Sequence, residues 1–128
     1  MNTGPALVSI LRQGSTLVAS IHTALNDTEM VRFQQDLIRQ IGEHRARGVI
    51  IDVAALDVLD SFGTRTLRAI AEMARLRGAS TVVVGIQPDV AYAMVQLGTG
   101  VSTLTTALDL EDGLAMLASS TATTPSPG

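Results

Sequence analysis

The stretch Leu56-Asp57-Val58-Leu59-Asp60-Ser61-Phe62-Gly63 sets a serine hydroxyl beside two carboxylates where a strand hands over to a helix. Upstream lies the apolar run Gly48 to Val53; downstream, Phe62 to Arg77 is helix-forming, with no proline and one glycine. Ser61 therefore falls at or next to a helix N-terminus, where backbone N–H groups and the helix dipole favour an anion. Two readings stay open from these residues. Asp60 or Ser61 caps the helix, since both residue types are preferred there. Alternatively, Ser61 is a phosphoacceptor, gaining about two negative charges on modification. Asp57 and Asp60 would crowd such a phosphate, so the mark would change surface electrostatics more than the fold.

Other chemistry is poorly supplied. His22 and His44, the two histidines, lie in different elements and lack a second ligand at metal spacing, so no metal site is expected. Ser61 has no G-x-S-x-G elbow around it, which argues against a hydrolase triad. Asp52 ends a buried strand, as the phosphoacceptor of a response-regulator receiver does. That chemistry also needs a lysine, and the nine basic residues are all arginine. Asp52 reads instead as a carboxylate accepting backbone N–H bonds in the following turn. Neither G-x-x-x-x-G-K-[ST] nor G-x-G-x-x-G occurs, and Gly98-Thr99-Gly100 reads as a helix stop, so no nucleotide cofactor is implied. Without cysteine, thiol catalysis, disulfides and thiolate metal sites are excluded, which fits a cytoplasmic protein.

The elements that position Ser61 follow from periodicity. At 128 residues and 46% hydrophobic, the chain suits one domain with one core. No apolar run reaches the roughly 18 residues that span a bilayer, and the first residues lack a signal-peptide pattern. A net charge of −3, with no basic cluster along the sequence, favours neither nucleic acid nor a membrane surface. Ala6–Leu11 and Thr16–Ile21 read as strands joined by a Gln13-Gly14-Ser15 turn. Asn26 with Glu29 forms a capping-box pair, and Met30, Phe33, Leu37, Ile41 and His44 give the following helix one buried face.

Val49–Val53 reads as a central strand and Ser61–Arg77 as a helix with Leu67, Ile70, Ala71 and Ala74 inward, closed by Gly78. Thr81–Ile86 is a second buried strand. Pro88 opens a third helix that Gly98 ends, Val101–Leu104 is a short strand, and Asp109 caps a last helix ending near Ala118. The methionines Met30, Met73, Met94 and Met116 fall within helices as core filler. The order β-β-α-β-α-β-α-β-α predicts an α/β fold: a mixed sheet of about five strands opened by a β-hairpin, with about four helices. Residues 1–118 form the domain, and the Ser/Thr/Pro-rich tail 119–128 is expected to be disordered.

This order and the Asp60-Ser61 placement resemble the STAS domain, the fold of anti-sigma-factor antagonists, and within it the RsbS-like stressosome scaffolds. The resemblance rests on Ser20-Ile21-His22-Thr23-Ala24-Leu25-Asn26-Asp27, Phe33-Gln34-Gln35-Asp36-Leu37 and Ala46-Arg47-Gly48-Val49-Ile50-Ile51-Asp52. It continues in Leu59-Asp60-Ser61-Phe62, Val84-Gly85-Ile86-Gln87-Pro88-Asp89-Val90-Ala91 and Ala107-Leu108-Asp109-Leu110-Glu111-Asp112-Gly113-Leu114.

The resemblance implies a non-enzymatic, cytoplasmic scaffold and phosphoprotein of bacterial stress-response signal transduction. Ser61 would be phosphorylated by an RsbT-like serine kinase, and a contact surface for that kinase would include Asp57, Asp60, Phe62 and Arg65. RsbR-like STAS proteins would join it in a large hetero-oligomer or homo-oligomer, and an RsbX-like phosphatase would reset it. Where some relatives carry a threonine early in the third helix, this chain has Tyr92-Ala93, so no second acceptor is expected there. The alternatives are a soluble anti-sigma antagonist binding an anti-sigma kinase directly, and a small enzyme using Ser61 as nucleophile.

Overall fold

The computed structural model describes residues 6–96 and 104–122. Its strands and helices are β1 (Val8–Gln13), β2 (Thr16–Ile21), α1 (Asp27–His44), β3 (Gly48–Asp52), α2 (Ser61–Leu76), β4 (Ser80–Val84), α3 (Pro88–Gln96), β5 (Thr106–Ala107) and α4 (Leu110–Ala122). The sheet runs β1-β2-β3-β4-β5 in sequence order. β1 pairs antiparallel with β2, and every later pair is parallel, so the sheet is mixed as expected.

The hairpin turns through Gly14 and Ser15, with Gly14 at φ +62°, a conformation suited to the first position of a tight II′ turn. Its first strand runs through Val8–Gln13, so the expected Ala6–Leu11 is displaced toward the turn. The remaining strands are added in one direction. Right-handed crossovers that advance the same way put their helices on one face. α1, α2 and α3 share that face and bury Phe33, Leu37, Leu67, Ile70 and Met94 against Ala19, Val49, Ile51 and Val83. α4 follows the last strand and crosses back to none, so it takes the other face, over Val18, Ile50, Val82 and Val84.

β3 is buried from Gly48 to Ile51, which explains its unbroken apolar run. α1 begins with a complete capping box: Glu29 N–H donates to Asn26 Oδ1 at 2.7 Å, and Asn26 N–H donates to Glu29 Oε1 at 2.8 Å. Its buried stripe is Met30, Phe33, Leu37 and Ile41. His44 departs from that stripe: it is exposed, and its Nδ1 faces the Arg12 guanidinium at 3.3 Å. The helix closes with Arg45 at φ +50°, while Ala46 N–H donates to Ile41 O at 3.1 Å. This 6→1 bond satisfies a carbonyl the helix would otherwise leave open.

Two boundaries near the C-terminus differ from the expected ones. Most of the Val101–Leu104 strand, and the Gly98 stop, lie outside the described residues. The described edge strand is Thr106–Ala107, preceded by Leu104 in a bend. Asp109 caps α4 as expected, accepting from Asp112 N–H at 2.9 Å, and the helix runs on to Ala122, past Ala118. Among the described residues no helix is long and apolar enough to cross a membrane.

Candidate functional site

Because β2, β3 and β4 run parallel, their C-terminal ends share one edge of the sheet, where the loops into α1, α2 and α3 meet. Ligand and partner sites in such sheets fall outside these strand ends. Residues 53–60 are the loop that leads into the serine at the start of α2. Leu56 and Leu59 turn inward, 4% and 8% exposed, and anchor it to the core, leaving Asp57, Val58 and Asp60 in solvent.

The loop is further tied to its neighbours by backbone and polar contacts. Ala54 N–H donates to Asp52 Oδ1 at 2.9 Å, the turn-forming role expected of that aspartate. Val53 N–H donates to Val84 O at 3.0 Å, and the Gln87 side-chain amide donates to Ala54 O at 2.7 Å. Gly85, at φ +80°, comes so close that a Cβ on it would stand 2.8 Å from Ala54 Cβ. This adjoining loop lies within a segment that carries the family resemblance, but Gln87 was given no role in the sequence beyond preceding Pro88.

The capping question is resolved in favour of Asp60. Its Oδ1 accepts from Gly63 N–H at 2.7 Å, and its carbonyl accepts from Thr64 N–H at 2.9 Å and from Thr64 Oγ1 at 3.0 Å. Gly63 makes this possible, since a Cβ there would meet Leu59 Cδ1 at 2.8 Å and Asp60 Oδ1 at 3.2 Å. Ser61 is the first helical residue and half-buried. Among the described residues its hydroxyl has no hydrogen-bond partner, and the N–H groups of Ser61 and Phe62 have no acceptor. The turn thus holds a reachable hydroxyl beside two unspent donors, where a negative group is stabilised.

The other expected contact residues divide. Phe62 is half-buried and packs on the main core, so it is partly structural. Arg65 is exposed one turn beyond Ser61, on the same helix face, and Asp57 is exposed in the loop. Neither histidine joins them as a hydrogen-bonded base: His22 Nε2 bonds the Ser9 hydroxyl across the hairpin, and His44 faces Arg12 at the far end of α1. Among the described residues no cluster of acidic or histidine side chains is suited to hold a metal ion.

A family model described as the STAS domain matches residues 8–112, well over half of the chain. The chain belongs to the STAS domain family. It is 32% identical over 89 residues to the RsbT co-antagonist protein RsbRA of Bacillus subtilis (strain 168), matching 69% of this chain and 32% of RsbRA. The chain therefore spans about a third of the length of that curated relative. Among solved structures it is similar to RsbS of Moorella thermoacetica in a serine-to-glutamate variant. That match has TM-score 0.79 and 32% identity, and covers 91% of this chain and 99% of the other. A chain from the stressosome, described as a signal integration and transduction hub, matches with TM-score 0.72 and 32% identity, covering 88% and 98%. The mixed five-stranded sheet with four described helices is accordingly a STAS fold.

Proposed function

We propose that this STAS domain is a non-enzymatic scaffold and phosphorylation switch of a bacterial stress-signalling complex, with Ser61 as the acceptor. An RsbT-like serine kinase is held by the unmodified form and released when Ser61 is phosphorylated. RsbR-like STAS proteins complete the cytoplasmic assembly, and an RsbX-like phosphatase restores it. The observation that carries this reading is the Asp60-Ser61 turn: Asp60 performs the capping, so the Ser61 hydroxyl is unengaged and a half-exposed first-turn position is open to modification. Similarity along nearly the whole length of a stressosome chain and of RsbS supports it.

The switch is electrostatic. A phosphate on Ser61 adds about two negative charges beside Asp57 and Asp60, and the free Ser61 and Phe62 N–H groups can receive it without unwinding α2. The fold is retained and the surface changes sign density, so a partner that docks on Asp57, Phe62 and Arg65 is expelled. In the test, the chain is incubated with an RsbT-like kinase and Mg-ATP and its intact mass is measured. One phosphate should be added to the native chain and none to Ser61→Ala, which should still bind the kinase. An unchanged mass, or phosphate that persists in Ser61→Ala, would overturn Ser61 as the acceptor. Light scattering after mixing with an RsbR-like protein separates this reading from a simple anti-sigma antagonist, which forms no large particle.

A further inference from the structure

The arginine end of the sheet, opposite Ser61, gathers guanidinium groups that the sequence keeps apart. Arg45 and Arg47 come from the connection between α1 and β3, and Arg77 is the residue after α2. All three are exposed, and they line one shallow cavity of ≈ 610 Å³. Among the described residues the rest of its wall is aliphatic or glycine: no acid, hydroxyl, amide or aromatic side chain lines it. The Arg77 guanidinium lies over α1, where a Cβ on Gly42 would stand 2.9 Å from its Nη1. Glycine at that position leaves the guanidinium its place.

Arginines near helix C-termini often bond the last carbonyls. Here backbone N–H groups have taken them. Ala46 N–H donates to Ile41 O at 3.1 Å, Arg45 N–H to Gly42 O at 3.4 Å, Ala79 N–H to Ala74 O at 2.9 Å and Gly78 N–H to Arg75 O at 3.0 Å. Among the described residues none of the three arginine side chains has an ion-pair or hydrogen-bond partner. Glu43, the acid nearest to them in sequence, is engaged by Arg39 at 2.9 Å. The helix dipoles remain, and each C-terminus carries about half a negative charge. Two such ends offset about one of the three positive charges, so roughly two are left over. Arg45 also stands at φ +50°, where glycine or asparagine is the usual choice, so a cation is kept against the local backbone preference.

We infer that this cavity binds a short chain of linked phosphates, the chemistry of inorganic triphosphate. Each guanidinium presents a planar fork of N–H donors that pairs with two phosphate oxygens. Three forks on one cavity match successive phosphoryl groups rather than a single orthophosphate. A wall without hydroxyl, amide or aromatic side chains has nothing to read a sugar or a base. Nor does it offer side-chain partners for the amides of an acidic peptide. Recognition therefore rests on phosphate oxygens alone. The cavity shares no residue with the Ser61 turn, so it stands independently of the phosphorylation switch.

The test titrates inorganic triphosphate into the full chain by calorimetry. One triphosphate should bind per chain, more weakly at about 0.1 M salt than at about 0.01 M, as the Debye length falls from ~30 to ~10 Å. Orthophosphate should bind about tenfold more weakly or worse, since it loses charge-assisted hydrogen bonds. Arg45→Gln and Arg77→Gln should each cost about tenfold in affinity, with thermal unfolding of the free chain unchanged. Arg32→Gln removes the same charge from an exposed site on α1 outside the cavity and should leave binding nearly intact. Triphosphate should raise the unfolding temperature of the native chain and not that of the double variant Arg45→Gln, Arg77→Gln. No binding to the native chain, binding retained in the double variant, or an equal loss in Arg32→Gln would overturn the site. Hexaglutamate bound as tightly as triphosphate would overturn phosphate as the ligand and assign the cavity to an acidic protein segment.

Discussion

The connection from β3 to α2 takes residues 53–60 and is held largely by side chains, whereas the connection from α1 to β3 takes residues 45–47 and is held by backbone. In the first, Leu56 and Leu59 are the anchors, Asp52 and Asp60 satisfy N–H groups, and Gln87 reaches in from the next loop. In the second, a residue at positive φ and a 6→1 bond from Ala46 to Ile41 make the turn, and the side chains of Arg45 and Arg47 extend into solvent. The difference teaches where a domain of this kind can accept modification. A loop fixed by two buried anchors leaves the positions between them free to change charge. A turn fixed mainly by backbone, with the small Ala46 as its buried side chain, leaves Arg45 and Arg47 free for contact.

The contrast can be broken most directly at the anchors. Leu56→Ala removes a side chain 4% exposed and should lower unfolding stability by about 2–4 kcal/mol in urea titration. Leu76→Ala, at the arginine end and 87% exposed, should stay within about 0.5 kcal/mol of the native chain. Equal losses at the two positions would erase the distinction.

A smaller effect sharpens the capping assignment. Asp60→Ala should lose about 1 kcal/mol, because the Gly63 N–H is orphaned, while Asp60→Asn should retain most of it. Comparing the pair separates the hydrogen bond from the charge, and an Asn variant as weak as the Ala variant would make the charge decisive.

The smallest expected effect lies in the backbone-held turn. Arg45→Gly relieves the left-handed conformation at φ +50° but loosens the unfolded chain, for a net gain of about 0.5 kcal/mol by thermal unfolding. A loss would mean that the arginine side chain, rather than the dihedral, holds the turn.

These contrasts also mark what the sequence could reveal. The β3 run, the Asn26–Glu29 box and the Pro88 start were legible because each rests on local chemistry within a few residues. The Asp60-Ser61 turn was legible as a helix start, yet Asp60 and Ser61 could not be separated as caps: both types compete for one N–H, and only backbone geometry decides. β5 was harder to locate. It has two residues and is fixed by pairing with Val83 and Val84, contacts that no pattern within it announces. His44 fitted the α1 stripe by spacing alone, but it falls on the last turn, where the helix outruns the core and meets Arg12. The gathering of Arg45, Arg47 and Arg77 was invisible for a similar reason. It depends on where two separate helices end relative to each other.

The solitary position of α4 has a consequence for biosynthesis. Chains leave the ribosome N-terminus first, so α4 is made after every strand it covers. Until Leu114 and Leu117 arrive, the Val18, Ile50, Val82 and Val84 face of a nearly finished sheet remains wet. A nascent chain stalled before Leu110 should therefore carry a greasy flank that a holding chaperone can grip. Completion of this domain is timed by its final helix.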